Sequence, residues 1–318
     1  MKRTVFFLLI CLLLKSKAGF AQTKNILQQN NRDFKYLLLN DRPDNNIVIK
    51  KIDVESSNNF GCNPMYKAEL YNMFLGRSGL VLFTVFPSGS DHLPHWKKIS
   101  LDSIKSRLLF SDQLGKLYDS AFSAFSKSGF KNYEYLKNDT YKLILKKEDG
   151  YYTNATDCFA EFFNIINSDH HATAGLTGNN YLSDIDIELK PTSIASFEIN
   201  YKERNGSYSH NIGDESSIAV NGEQPTLFYS NSLILLNKKS YFFWTYAHWY
   251  ADAINSFRGI DRFIFNPEYG IVAGDYSFYF SKLTGSKNDL CRSLVFYRYM
   301  CNELNFMPIK VTTLFQLK

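Results

Sequence analysis

The chain has 318 residues, with 36 Lys and Arg against 31 Asp and Glu, and carries 27 Phe and 21 Tyr. That length fits one large domain or two intimately packed ones, and the aromatic content is enough for a substantial core. Much of the formal charge of +5 sits at the N-terminus: without Lys2, Arg3, Lys15 and Lys17 the 36 basic residues become 32 and the net charge falls to +1. A chain so close to neutral offers no basic field for nucleic acid.

Residues 1–21 read as a signal peptide. Lys2 and Arg3 precede an apolar run from Val5 to Leu14, and the segment closes on Ala18-Gly19-Phe20-Ala21, with small residues where a signal peptidase cuts. The run is shorter than the roughly 20 residues a bilayer span needs. No later segment is apolar enough to span, so the expected mature protein is exported, periplasmic or extracellular, with no transmembrane segment. The mature cysteines are Cys62, Cys158, Cys291 and Cys301. An even number in an exported chain points to disulfides, with four buried thiols as the alternative. If 287–304 is one helix, Cys291 and Cys301 lie about 15 Å apart, beyond the roughly 7 Å limit for Cα atoms in a disulfide.

Residues 22–45 are rich in Asn, Gln, Lys and Asp and read as a loosely ordered lead-in. Residues 47–54 alternate as a strand does, and 79–87 is an apolar run bounded by Gly79 and Pro87 that reads as a buried strand. Helices are expected over 101–109 and 113–126, the second capped by Asp112. A hairpin follows over 132–136 and 141–147. Residues 156–167, opening on Thr156 and containing Glu161, read as a helix. Strands are expected over 185–189, 195–203 and 226–236.

Residues 204–224 form the longest polar stretch and mark a linker or flap between an N-terminal half (46–203) and a C-terminal half (225–318). A helix over 240–257, capped by Ser240 and stopped at Arg258-Gly259, leads into strands at 261–265 and 271–280 around the turn Asn266-Pro267-Glu268-Tyr269-Gly270. A helix to residue 304 and a strand over 309–317 complete the chain. Interleaved helices and antiparallel hairpins imply an α+β fold. Matching spacings of Tyr118 and Tyr250, Phe125 and Phe257, and Cys158 and Cys291 suggest two similar helix–strand–strand–helix units.

Candidate chemistry gathers in three places. On a helix over 240–257, Thr245, His248, Asp252 and Asn255 would share one polar stripe. There Asp252 could raise the pKa of His248 and orient its ring as a general base. Such a pair, joined by a histidine from another segment, would suit a metal-assisted exported hydrolase. Asp169, His170 and His171 sit in a Gly-rich loop and are binding candidates. A third cluster, Asp91 to Trp96, contains His92 and His95, but Pro94 bars a helical two-histidine metal motif. Catalytic elbows, phosphate loops and paired metal cysteines do not occur, so no metal site and no cofactor is assigned. The sequence therefore favours an exported binding or interaction protein, with the His248–Asp252 hydrolase as the alternative. Its protein or small-molecule ligand is not specified.

Overall fold

The computed structural model describes residues 34–39, 47–56, 66–76, 78–87, 92–116, 118, 141–156, 158–166, 184–187, 191, 193, 196, 227–245, 260, 262–274 and 306–315. Among these residues, fifteen strands lie within one compact unit, Lys35–Lys318. They are β1 (Lys35–Leu38), β2 (Ile47–Ser56), β3 (Lys67–Leu75), β4 (Gly79–Val85), β5 (Trp96–Ile99), β6 (Leu108–Phe110), β7 (Tyr141–Lys147), β8 (Gly150–Asn154), β9 (Cys158–Ile166), β10 (Asp184–Asp186), β11 (Leu227–Leu235), β12 (Lys238–Thr245), β13 (Arg262–Asn266), β14 (Gly270–Gly274) and β15 (Phe306–Phe315). Ten strands form one sheet in the order β10-β9-β4-β3-β2-β15-β14-β13-β12-β11, and five form a second in the order β5-β8-β7-β1-β6.

The fold is therefore mostly β, which corrects the α+β expectation. Residues 158–166 form β9, paired antiparallel to β4 along its length, where a helix over 156–167 was expected. Residues 240–245 belong to β12, where the 240–257 helix was expected to begin. Helix is confined, among the described residues, to short pieces such as the 3-10 turns Leu101–Arg107 and Ser111–Gln113 and the helical residues that follow at 114–116. The repeat expectation fails as well. Strand β7 lies in the small sheet, whereas β13 and β14 lie in the large one, and the segment carrying Cys158 is a strand.

Burial on both sides accounts for the misreading of β9, in which Cys158, Ala160, Glu161, Phe162 and Phe163 are all buried; β4, buried at all seven residues, is legible through its Gly79–Pro87 frame. A strand covered on both faces loses its polar–apolar alternation and reads as a continuous apolar run. Where alternation or turn chemistry survives, the sequence reading holds: 47–54 is β2, 141–147 is β7, and Asn266–Gly270 turns β13 into β14.

The two covers of β2, β3, β4 and β9 are different. One face carries Ile49, Tyr71, Met73, Val81, Phe83, Ala160 and Phe162, which pack on Leu37, Leu39, Tyr141 and Leu143 of the small sheet. The opposite face carries Ile52, Val54, Leu70, Leu80, Leu82, Phe163 and Ile165, which share a core with Phe243, Phe263, Phe265 and Ile271 of the other half of the same sheet. The large sheet is thus folded back on itself. Phe163 of β9 meets Phe263 of β13 with ring centroids 5.4 Å apart, and Phe263 stacks on Phe243 at 5.5 Å. Each fully buried ring contributes about 1.5–3 kcal/mol. The bend falls between β14 and β15, which pair only at Gly274 and Phe306, while β14 also lies against β2 and β3.

Polar side chains fix this fold-over. Asn72, fully buried in β3, donates from Nδ2 to the Ile271 carbonyl and accepts the Ile271 N–H at Oδ1, both at 2.8 Å. The Asn72 amide thereby replaces a strand neighbour for β14. Gly270 has φ +84°, and a Cβ there would collide with that amide, so the position needs glycine twice over. Glu161, buried in β9, receives the Ile260 N–H between its two oxygens at 3.1 and 3.0 Å, just before β13. Asn72→Ala is expected to lower stability by about 2–4 kcal/mol, because it orphans a buried N–H and a buried carbonyl and leaves a cavity. Asn72→Asp, which keeps an acceptor but loses the donor, should also destabilise. Urea denaturation of the two variants checks this, and a loss below about 1 kcal/mol for Asn72→Ala would contradict it.

Candidate functional site

Of the residues singled out from the sequence, Thr245 is the last residue of β12. His248, Asp252, Asn255, Asp169, His170 and His171 lie outside the described residues. Residues 240–245 are extended, and 246–259 lie outside the described residues. Ser240 is no helix cap. It is buried in β12, where its hydroxyl donates to the Lys238 carbonyl at 3.3 Å and accepts from Asn266 Nδ2 at 2.9 Å. Thr156 likewise lies in a bend between β8 and β9 rather than at a helix start.

The 92–96 cluster is described. His92 is exposed, its ring edge-on to Tyr66 at 5.3 Å, and its carbonyl accepts the Lys67 N–H. The His95 carbonyl accepts the Ala155 N–H at 2.7 Å. Through their backbones these residues tack the start of β3 and the end of β8 together. No group of three His, Cys, Asp or Glu side chains among the described residues is placed to hold a metal. Cys158 is buried, and no disulfide occurs among the described residues, which leave out Cys62, Cys291 and Cys301. No described helix is long and apolar enough to cross a membrane.

Among the described residues, a charged cluster lies where β2 and β3 meet β5. Lys51 Nζ sits 2.9 Å from both Asp53 Oδ1 and Glu69 Oε1. The other Glu69 oxygen accepts from Tyr71 Oη at 2.8 Å and Trp96 Nε1 at 3.0 Å. Burial pushes the Tyr71 hydroxyl well above the ordinary tyrosine range, and the Glu69 carboxylate adds to it. Burial opposes the charge on Lys51, but Glu69 and Asp53 outweigh it and hold its pKa above the usual lysine value. A carboxylate with both oxygens taken by donors, beside a tyrosine held protonated and a lysine held charged, is a poor proton shuttle. The cluster instead ties Trp96, and with it the small sheet, to the large one.

A second polar knot joins β7 to β8. Asn154 accepts the Leu143 N–H at 2.7 Å and donates to the Thr156 carbonyl at 2.8 Å, which Lys142 Nζ also reaches at 2.7 Å. Asn154 opens the sequon Asn154-Ala155-Thr156, but its amide is fully buried, so a glycosylating enzyme has no access to it in the folded chain.

The surface feature that stands apart is the outer edge of the large sheet. Strand β11 ends the sheet order and reads Leu-Phe-Tyr-Ser-Asn-Ser-Leu-Ile-Leu, with no charged residue. Asn231, Ser232, Leu233 and Ile234 are all exposed, Ile234 at 71%. The two-residue turn to β12, Leu236 and Asn237, has φ +53° and +58°, the left-handed pair of a type I′ hairpin. Leu236 takes that conformation against the usual preference while packing on the core. Residues 226–236 are legible as a strand, but nothing local marks them as an edge. The available signal is a nine-residue strand without one charge.

The linkage of the Lys51 cluster sets a pH dependence. Both raised groups favour the folded state while protonated, so their contribution is complete below the ordinary values of 10.0 for Tyr71 and 10.5 for Lys51 and is lost as pH rises above them. Urea midpoints should hold up to about pH 9 and fall as the pH rises past about 10, and Tyr71→Phe should make that fall shallower. An equally steep fall in Tyr71→Phe would contradict the assignment. No family model matches the chain, and no curated protein or solved structure matches it.

Proposed function

We propose that the chain is an exported binding or interaction protein whose contact surface is the β11 edge of the large sheet. The observation that carries this reading is the exposure of Asn231–Ile234 on an uncharged edge strand. Such an edge presents unpaired N–H and C=O groups ready to take up another extended segment. The buried or half-buried charges described above support a scaffold reading: Glu161 holds the Ile260 N–H, Lys142 the Thr156 carbonyl, and Glu69 the side chains of Lys51, Tyr71 and Trp96. Export rests on the leader Lys2 to Ala21.

A photo-cross-linking residue at position 234 is expected to give a defined adduct in the producing cell. The same residue at the exposed Lys97 of β5 should give none. Equal labelling at both positions, or none at 234, would overturn the edge reading. Sequencing the N-terminus of the purified protein should begin at Gln22, and an intact Met1 would overturn export.

A further inference from the structure

We infer that the segment pairing with β11 is β11 of a second copy of this chain, joined about a two-fold axis into one continuous sheet. The inference rests on the reading of β11 as the contact edge and names its occupant.

The described sheets have four edges, and three are protected. Strand β10 has three residues and lies against part of β11, while Asn231–Ile234 of β11 stay exposed. Strand β6 also has three, and β5 has four, with exposed Lys97 and Lys98. Short strands and charges are the usual means of stopping edge-to-edge pairing. Strand β11 has nine residues and no charge. Its one irregularity, between Tyr229 and Asn231, lies before the exposed stretch rather than in it.

Register follows from the hairpin. In a two-residue hairpin the closing pair, here Leu235 and Lys238, is hydrogen-bonded, and alternate residues turn their backbone groups away. Leu233 therefore bonds to Ser240, while Ser232 and Ile234 direct N–H and C=O toward the open edge. An antiparallel pair centred on Leu233 sets Ser232 opposite Ile234 of the partner subunit, and Ile234 opposite Ser232 of the partner subunit. This satisfies four outward N–H groups and carbonyls on each strand. Leu233 then faces Leu233 of the partner subunit in a non-hydrogen-bonded pair, where side chains approach most closely. A two-fold pairing sets each residue near copies of its own neighbours, so any charge on the strand would meet its like. A strand without charge has no such penalty, and nothing in it selects a charged partner instead.

Sedimentation equilibrium of the purified mature chain tests this. The wild type should sediment at twice the monomer mass. Ile234→Lys sets like charges across the seam. Ile234→Pro deletes an outward N–H without breaking a β11–β12 hydrogen bond. Both variants should weaken dimerisation at least about tenfold and still melt cooperatively. Should Ile234→Pro fail to fold, Ile234→Lys carries the test alone. A wild type that stays monomeric at about 100 µM, or a dimer that persists in every folded variant, overturns the inference. A monomeric wild type that still cross-links from position 234 to a different protein removes self-pairing but leaves the edge reading intact, whereas absence of any adduct removes both.

Discussion

The whole arrangement depends on an asparagine doing the work of a β-strand. Asn72 gives β14 the donor and acceptor that a neighbouring strand would otherwise supply, and this lets the ten-stranded sheet leave its own plane and close on itself. An open sheet of ten twisted strands has apolar faces too large to leave wet. Here the face built by β2, β3, β4 and β9 is covered by the opposite half of the same sheet, and the back of those strands is covered by the small sheet. Buried backbone groups must find partners wherever a ladder breaks. The break at β14 and the approach to β13 are where Asn72 and Glu161 stand.

This closure decides what remains for recognition. Both faces of the central strands are covered, and the buried or half-buried charges Lys51, Glu69, Lys142 and Glu161 serve the packing. The cluster of Lys51, Glu69, Tyr71 and Trp96 resembles a site in composition. Its hydrogen bonds, however, saturate the carboxylate and keep its neighbours protonated. The backbone left open lies at the sheet's margin, in the uncharged, exposed stretch Asn231–Ile234 of β11. A fold that hides its faces and leaves one edge open is suited to pairing through the backbone.

Much of the strand content was legible where one local signal sufficed. Alternation revealed β2, a Gly–Pro frame revealed β4, and Asn266-Pro267-Glu268-Tyr269-Gly270 revealed the β13–β14 turn. The readings failed in β9 and β12, where no glycine–proline frame stood in for the missing alternation. In Cys158–Ile166 an aromatic run behind a threonine resembles a capped helix, and so does the stretch after Ser240. In both, the residue read as a cap is an ordinary polar group of the sheet's interior or its bends. Asn72 could not have been singled out, because its partner lies 199 residues away and nothing in Tyr71-Asn72-Met73 hints at it. Glu161 was visible only as a helix residue, since a carboxylate that serves a backbone N–H has no motif.

Amide hydrogen exchange at Ile271 and Ile260 tests the folded-over sheet most directly, because these two N–H groups are held by the side chains of Asn72 and Glu161 rather than by adjacent strands. Both amides are expected to exchange only through global unfolding, as slowly as the slowest amides of β3 and β4. Exchange at Ile271 as fast as in an exposed loop, while β3 stays protected, would mean that the two halves of the sheet do not close on each other.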